Sequence, residues 1–442
     1  MLYEVVSTIL HVNDILIIDK KIRKDRKENV MAKIKPFYCV RPNEDVASLI
    51  AALPYDVYSR EEAAEQVKDA PLSFLNVDRP ETQFPSDMDM YAEEVYQKAR
   101  EILNTWMEDG TLIQEETKCY YLYELTMAGR TQTGLVVCAS VDDYENQVIK
   151  KHENTREDKE KDRIAHVDVC SAQTGPIFLA CRENKWLSER VGEWKKQQAL
   201  YDFVSEDGIR HRVFKIEKEE EIDAITKYFQ GVEALYIADG HHRTASAVKV
   251  SQMRRKQYAD YTGEEEFNYF LSVIFPENEL KILDYNRVVK DLNGLTKEQF
   301  LELLQQKFDI KQQNSAVKPE KKMTFGMYLE GTWYELCYKE DWEQYDVVDR
   351  LDVSVLQKEV LAPILGIQDP KTDERIQFVG GIRGVQELEK LVNQGAAVAF
   401  SMYPTAMEEL FAVADEEKLM PPKSTWFEPK LRSGLFIHKL ES

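Results

Sequence analysis

The chain has 442 residues and a formal net charge of -21, so it is long enough for two or three domains and repels a nucleic-acid backbone overall. With 43% hydrophobic and 10% aromatic residues it can bury a sizeable core, which excludes a disordered chain. No apolar run approaches the roughly 20 residues a membrane helix needs, and the six cysteines lack the CxxC spacing of zinc knuckles or redox pairs. The expectation is a cytoplasmic protein with reduced thiols, a small-molecule ligand, and neither a nucleic-acid nor a membrane partner. A local positive pocket for a small anion is compatible with this charge, and a homodimer is left open.

Residues 1–30 read as foreign to the rest. A short apolar patch over 15–18 precedes a charge run over 19–27, and Met31-Ala32-Lys33-Ile34-Lys35 then reads as a fresh start. A disordered leader or a misplaced start is expected there, with a genuine extension as the other reading. Acidic Glu4 and Asp14 disfavour a signal peptide.

Region 31–145 is expected to be an N-terminal α/β unit. Pro54-Tyr55-Asp56-Val57 forms a turn element before Ser59, a plausible N-cap with Glu61 and Glu62 in the following turn. Tyr91, Val95, Ala99 and Leu103 recur at helical spacing and predict a helix over 90–107, ended by Gly110. Segments 120–126 and 132–140 read as two strands turning at Gly129. Charge dominates 148–163. Beyond it, strands are predicted over 175–180, 212–216 and 234–238, and helices over 219–229 and 244–253, so that 146–256 forms the core unit. Region 257–442 is expected to be α+β, with strands over 269–275, 325–329 and 333–338 and helices over 356–365 and 385–393.

The strongest chemical signal is Asp239-Gly240-His241-His242-Arg243-Thr244, where an apolar strand runs through Asp-Gly into a helix. Gly240 can take a positive φ and let a ligand approach the backbone. The helix N-terminus beyond it favours phosphate, and Arg243 adds a planar fork. His241 and His242 can donate hydrogen bonds or move protons, and Asp239 can hold magnesium that bridges phosphates. A polar turn with a satisfied histidine is the competing reading. A zinc centre on the adjacent His241 and His242 is disfavoured.

A second signal is Lys151-His152-Glu153-Asn154-Thr155-Arg156, in which Glu153 would be a general base, or the whole stretch a solvated charged helix. Thr174-Gly175 and Thr131-Gln132-Thr133-Gly134 are candidate ligand loops. Tyr55, Asp56 and Arg79 stand beside prolines as candidate substrate contacts. Lys423-Ser424-Thr425, Lys430 and Arg432 form a basic segment framed by prolines, either a lid over an anion or a plain strand.

Those boxes, together with Leu53-Pro54-Tyr55-Asp56-Val57, Thr174-Gly175-Pro176 and Pro421-Pro422-Lys423-Ser424-Thr425, occur in an order that resembles the bacterial and archaeal family known as domain of unknown function 1015. More distantly, His152-Glu153, Gly175-Pro176-Ile177 and Asp239-Gly240-His241-His242-Arg243 resemble the core of free-serine kinases of the ParB/sulfiredoxin fold. That resemblance implies a ParB/sulfiredoxin-like core carrying N-terminal α/β and C-terminal α+β elaborations, and Mg2+ with ATP or ADP. It implies Glu153 as base, with His152, Asp239, His241, His242 and Arg243 as catalytic partners and Asp239 as the metal ligand. Gly240, Arg243, Thr244, Thr174 and Gly175 would bind nucleotide phosphates; Thr155, Arg156, Tyr55, Asp56 and Arg79 would bind substrate. The expected activity is phosphoryl transfer between a nucleotide and a small hydroxylated metabolite, serine or phosphoserine first. A non-catalytic nucleotide sensor and a phosphatase are the alternatives. ParB-type DNA clamps fit poorly because their motif order is reversed here and the chain is acidic, and sulfiredoxins need cysteine where His241 stands.

Overall fold

The computed structural model describes residues 31–441 except 156, 184 and 259, so Arg156 and the expected leader over 1–30 lie outside the described residues. The protein is a mixed α/β fold. Among the described residues, nine strands form its central sheet: β1 Ile34–Lys35, β2 Tyr120–Met127, β3 Arg130–Ser140, β4 Ile149–Lys150, β5 Ile177–Cys181, β6 Tyr201–Val204, β7 Arg210–Ile216, β8 Leu235–Asp239 and β9 Tyr269–Pro276. They lie in the order β4-β8-β5-β9-β3-β2-β7-β6, with β1 also paired to β3. β8 is parallel to β4 and β9 is parallel to β5, and the other neighbours are antiparallel. One sheet thus takes strands from all three regions 31–145, 146–256 and 257–442.

The β2–β3 hairpin turns through Ala128 and Gly129, both at positive φ (50° and 80°), as a tight turn matching strand twist requires. Both sheet faces are covered, so the strands read as near-continuous apolar runs. In β2, Tyr121, Tyr123 and Leu125 enter one core while Tyr120 and Leu122 enter the other. Helices Glu219–Phe229 and Lys185–Trp194 pack on the second face through Ile225, Phe229, Leu187 and Trp194. The first face is continuous with the C-terminal part. Phe411 stacks on Tyr236 at 3.9 Å, and Phe427 meets Phe178 at 5.4 Å.

That C-terminal part carries an antiparallel six-stranded sheet, ordered Phe308–Gln313, Thr332–Tyr338, Thr324–Leu329, Val398–Ser401, Tyr285–Val289, Ile376–Gly380. The helix expected over 356–365 is instead α-helical over Asp352–Leu356 and then a π-turn over Gln357–Leu361. On the N-terminal side, Ser59 caps helix Arg60–Val67 in a reciprocal box with Glu62. Helix Glu93–Glu108 ends before Gly110 at φ 81°. The charge run resolves into strand β4 and helix Glu157–Cys170, which buries Asp162, Arg163 and His166. Among the described residues, no helix is long and apolar enough to cross a membrane.

Candidate functional site

Strand direction explains why boxes distant in sequence meet. β4 and β8 are parallel neighbours, with Ile149 opposite Leu235 and Lys150 opposite Tyr236. Their C-terminal ends therefore release Lys151-His152-Glu153 and Asp239-Gly240-His241 side by side. β5 is antiparallel to β8, so its entry, Thr174-Gly175-Pro176, arrives at the same end. Arg130 to Gly134 lies at the other end of the sheet. There Gly134 is part of β3, and a Cβ on it would stand 2.5 Å from Val273, so its glycine serves packing.

The β8–β5 register shifts between Ile237 and Asp239, a bulge that re-aims the carboxylate at the strand's end. Gly240 follows at φ 94° and brings no capping side chain to the 17-residue helix His241–Gln257. Asp239 Oδ1 accepts the Gly240 N–H at 2.8 Å, and Oδ2 accepts Lys430 Nζ at 2.8 Å. Burial works against the ionised carboxylate, but Lys430 and the Gly240 N–H hold its pKa down at about 2. Burial likewise opposes the Lys430 charge, and Asp239, then Glu428 and exposed Asp56, hold its pKa above the ordinary lysine value. Asp239 is thus an ionised, half-buried carboxylate.

Next to this pair, His152 and His241 meet edge-to-face with ring centroids 4.6 Å apart. Ligand atoms of His152, Glu153 and His241 all lie within 4.8 Å of one another. His152 is 1% exposed, yet among the described residues neither ring nitrogen has a hydrogen-bond partner of acceptable geometry, and the same holds for Nε2 of buried His241. An unsatisfied buried polar atom costs about 1–3 kcal/mol. Burial pushes the His152 imidazole down to about 4, against the opposing pull of Asp239 and the Ile237 backbone, and pushes His241 well below the ordinary value. Burial raises Glu153, while Lys423 and Lys371 pull the other way.

Arg243 turns inward. Among the described residues its guanidinium makes only long bonds, at 3.4 Å, to the Pro176 carbonyl and the Ser433 hydroxyl, and lies 4.0 Å from Asp78. Its plane centre is 5.6 Å from the Tyr55 ring. A Cβ on Gly175 would stand 2.4 Å from Arg243 Nη1, so this glycine is what admits the guanidinium. Thr174 Oγ1 donates to Asp78 Oδ1 at 2.7 Å. Tyr55, Asp78, Arg163, His166, Thr174 and Arg243 line a cavity of about 30 Å3, room for a water or two.

Tyr55, Thr174 and Gly175 therefore converge on Arg243, and Asp56 acts on Lys430 by charge. Other expected contacts are engaged elsewhere. Arg79 pairs with Glu81 at 2.5 Å and donates to the Tyr55 and Tyr58 carbonyls, pinning the loop that carries Tyr55. The Thr244 hydroxyl is fully buried and bonds the Gly240 carbonyl at 3.1 Å, closing the first helical turn. The Thr155 hydroxyl bonds Glu160 at the start of the next helix.

The segment after Met420 lies across the site: the Met420 N–H bonds the His152 carbonyl at 2.8 Å, and Lys423, Lys430 and Ser433 follow. Of the two readings of this basic stretch, the extended one holds only over Trp426–Phe427, which pairs with Ile282–Leu283. Asp78, Lys371 and Ser433 are not among the candidate site residues that the sequence singles out. For Asp78, the only signal is an acid at the end of a short apolar helix, next to Arg79-Pro80.

A search among curated proteins finds none that matches this chain. Among solved structures, the chain is similar to a free serine kinase in complex with AMP, at 14% identity and a TM-score of 0.35, covering 68% of this chain and 92% of that one. It is also similar to C-terminally truncated SbnI from Staphylococcus aureus, at 12% identity and a TM-score of 0.38, covering 67% and 85%. A conserved hypothetical protein from Pyrococcus furiosus aligns at 13% identity and a TM-score of 0.34, covering 70% and 95%. The profile described as protein of unknown function (DUF1015) matches residues 34–354, and the chain belongs to that family.

Proposed function

We propose that the protein is a phosphotransferase that moves a phosphoryl group between ATP or ADP and a small hydroxylated metabolite, serine or phosphoserine first, in the cytoplasm. One observation carries this reading: the Glu153 carboxylate stands within 4.8 Å of a ring nitrogen of His241, the first residue of a helix whose N-terminus Gly240 leaves uncapped. A base for a hydroxyl and a seat for phosphate are thus adjacent. Lys423 acts on Glu153 by charge, Lys430 pairs with Asp239 just before the helix, and Arg243 stands in the helix's first turn, on a chain of net charge -21.

In the forward direction, Glu153 accepts the metabolite's hydroxyl proton as its oxygen bonds to the γ-phosphorus. The bond from phosphorus to the nucleotide's bridging oxygen breaks, leaving the nucleotide one phosphate shorter. The helix N-terminus, Arg243 and Lys430 offset charge on the transferring group. Asp239 is ionised, and each of its oxygens keeps a lone pair beyond the bonds to Lys430 and Gly240, which suits a magnesium ion carried on the nucleotide. When bound, such an ion neutralises phosphate charge.

The test follows phosphoserine with ADP, and serine with ATP, by phosphorus NMR on protein starting at Met31, with magnesium present. Interconversion that disappears in Glu153→Gln supports the reading. Nucleotide binding without turnover in either direction overturns it in favour of a sensor.

A further inference from the structure

We propose that His152, Glu153 and His241 form a binding site for one first-row divalent transition-metal ion, distinct from any magnesium that accompanies a nucleotide. The inference stands on the geometry of these three side chains and does not rest on the phosphotransferase reading.

Three observations carry it. The donor atoms lie within 4.8 Å of one another, so small rotamer adjustments bring all three to one ion. The imidazoles are buried, His152 at 1% and His241 at 9% exposure, yet among the described residues both nitrogens of His152 and Nε2 of His241 have no hydrogen-bond partner of acceptable geometry. Edge-to-face packing of the two rings accounts for their contact but satisfies none of these nitrogens. Finally, the backbone is fixed before any ion arrives. His152 and His241 follow the paired ends of β4 and β8, and the His152 carbonyl is held by the Met420 N–H at 2.8 Å.

Two imidazoles with one carboxylate select the ion class. Magnesium and calcium take oxygen ligands, whereas imidazole suits zinc, iron, cobalt and nickel. Three protein ligands leave coordination positions open for water or a substrate oxygen. Glu153 can give one oxygen to the ion and keep the other for a proton.

The test uses the full chain, stripped with chelator, dialysed and titrated with Co2+, read by its visible ligand-field band and by metal analysis after equilibrium dialysis. One equivalent is expected, displaced by Zn2+. Because loss of even an outer-shell partner costs about 10–100-fold in metal affinity, His152→Ala and His241→Ala should each weaken binding by at least about tenfold. Should either variant fail to fold, X-ray absorption of the cobalt-loaded wild type decides, with imidazole scattering expected. Absence of Co2+ and Zn2+ binding, an all-oxygen shell, or unchanged affinity in both folded variants overturns the proposal. Magnesium-supported phosphoryl transfer by a chain that binds no Co2+ would sink this inference alone. Metal binding without transfer would sink only the phosphotransferase reading.

Discussion

Lys430 holds its ammonium 2.8 Å from the carboxylate of Asp239, across 191 positions of the chain. The lysine side chain is 18% exposed and the aspartate side chain 43%, so the pair is open on the aspartate's side. Lys430→Met keeps the aliphatic stem and removes the charge. It should weaken nucleotide binding by about tenfold, equivalent to about 1.4 kcal/mol, as read by calorimetric titration. An unchanged Kd would remove Lys430 from the nucleotide site.

The acid limb of the rate profile is assigned to Glu153. In protein stripped of transition metal and supplied with magnesium, burial raises its pKa above the ordinary glutamate value, and the rate falls as pH drops through that raised value. Asp239, at about 2, titrates too low to set this limb. An acid limb that persists in Glu153→Gln would contradict the assignment. The Gln variant itself should lose roughly 10²–10⁴-fold in turnover with nucleotide affinity kept.

Gly175→Ala should reduce transfer while leaving the fold largely intact. The new methyl would meet Arg243 Nη1 at 2.4 Å, and a guanidinium is the mobile end of a flexible side chain, so Arg243 moves rather than the backbone. The melting temperature and the turnover number, measured together, separate this from simple destabilisation. A large loss of melting temperature would show that the turn itself had failed.

Two buried carboxyls away from the site set a pH dependence of stability. Burial raises Asp143 and Asp352 to about 7, even though each accepts a backbone N–H, from Lys33 and Met323 respectively. Their folded pKa lies above the unfolded value of about 3.9. The stability they contribute is therefore complete below that value and is lost as pH rises towards 7. The buried histidines, whose pKa values are lowered, push stability the other way over the same window, so the carboxyl contribution is read by difference: the wild-type denaturant midpoint should fall with rising pH relative to the midpoints of Asp143→Asn and Asp352→Asn. Equal slopes in all three proteins would refute the assignment.

Local chemistry was the legible part. The change from the apolar run 235–238 to Asp239-Gly240 marked a strand, a turn at positive φ and a helix start, and all three are present. Helix Lys185–Trp194 is not read from the sequence, although Leu187 and Trp194 enter the core and Trp186 and Val191 pack against it. Side-chain roles set by tertiary partners were not legible. Arg79 is read from sequence as a substrate contact, but its bonds to Glu81 and to the Tyr55 and Tyr58 carbonyls show that it is already engaged. Nothing near Lys430 announces Asp239, and nothing near His152 announces His241.

The position of β9 constrains how the chain can be divided. This strand, Tyr269–Pro276, lies between β3 and β5 and bonds to both. A polypeptide ending at 256 would contain every residue of the Asp239–Arg243 turn yet leave two interior strands with unpaired edges. Such edges recruit other chains, so a fragment cut there should aggregate, and a ribosome must release residue 276 before the sheet can close. Insertions or fusions are therefore better placed outside the span from Ile34 to Pro276.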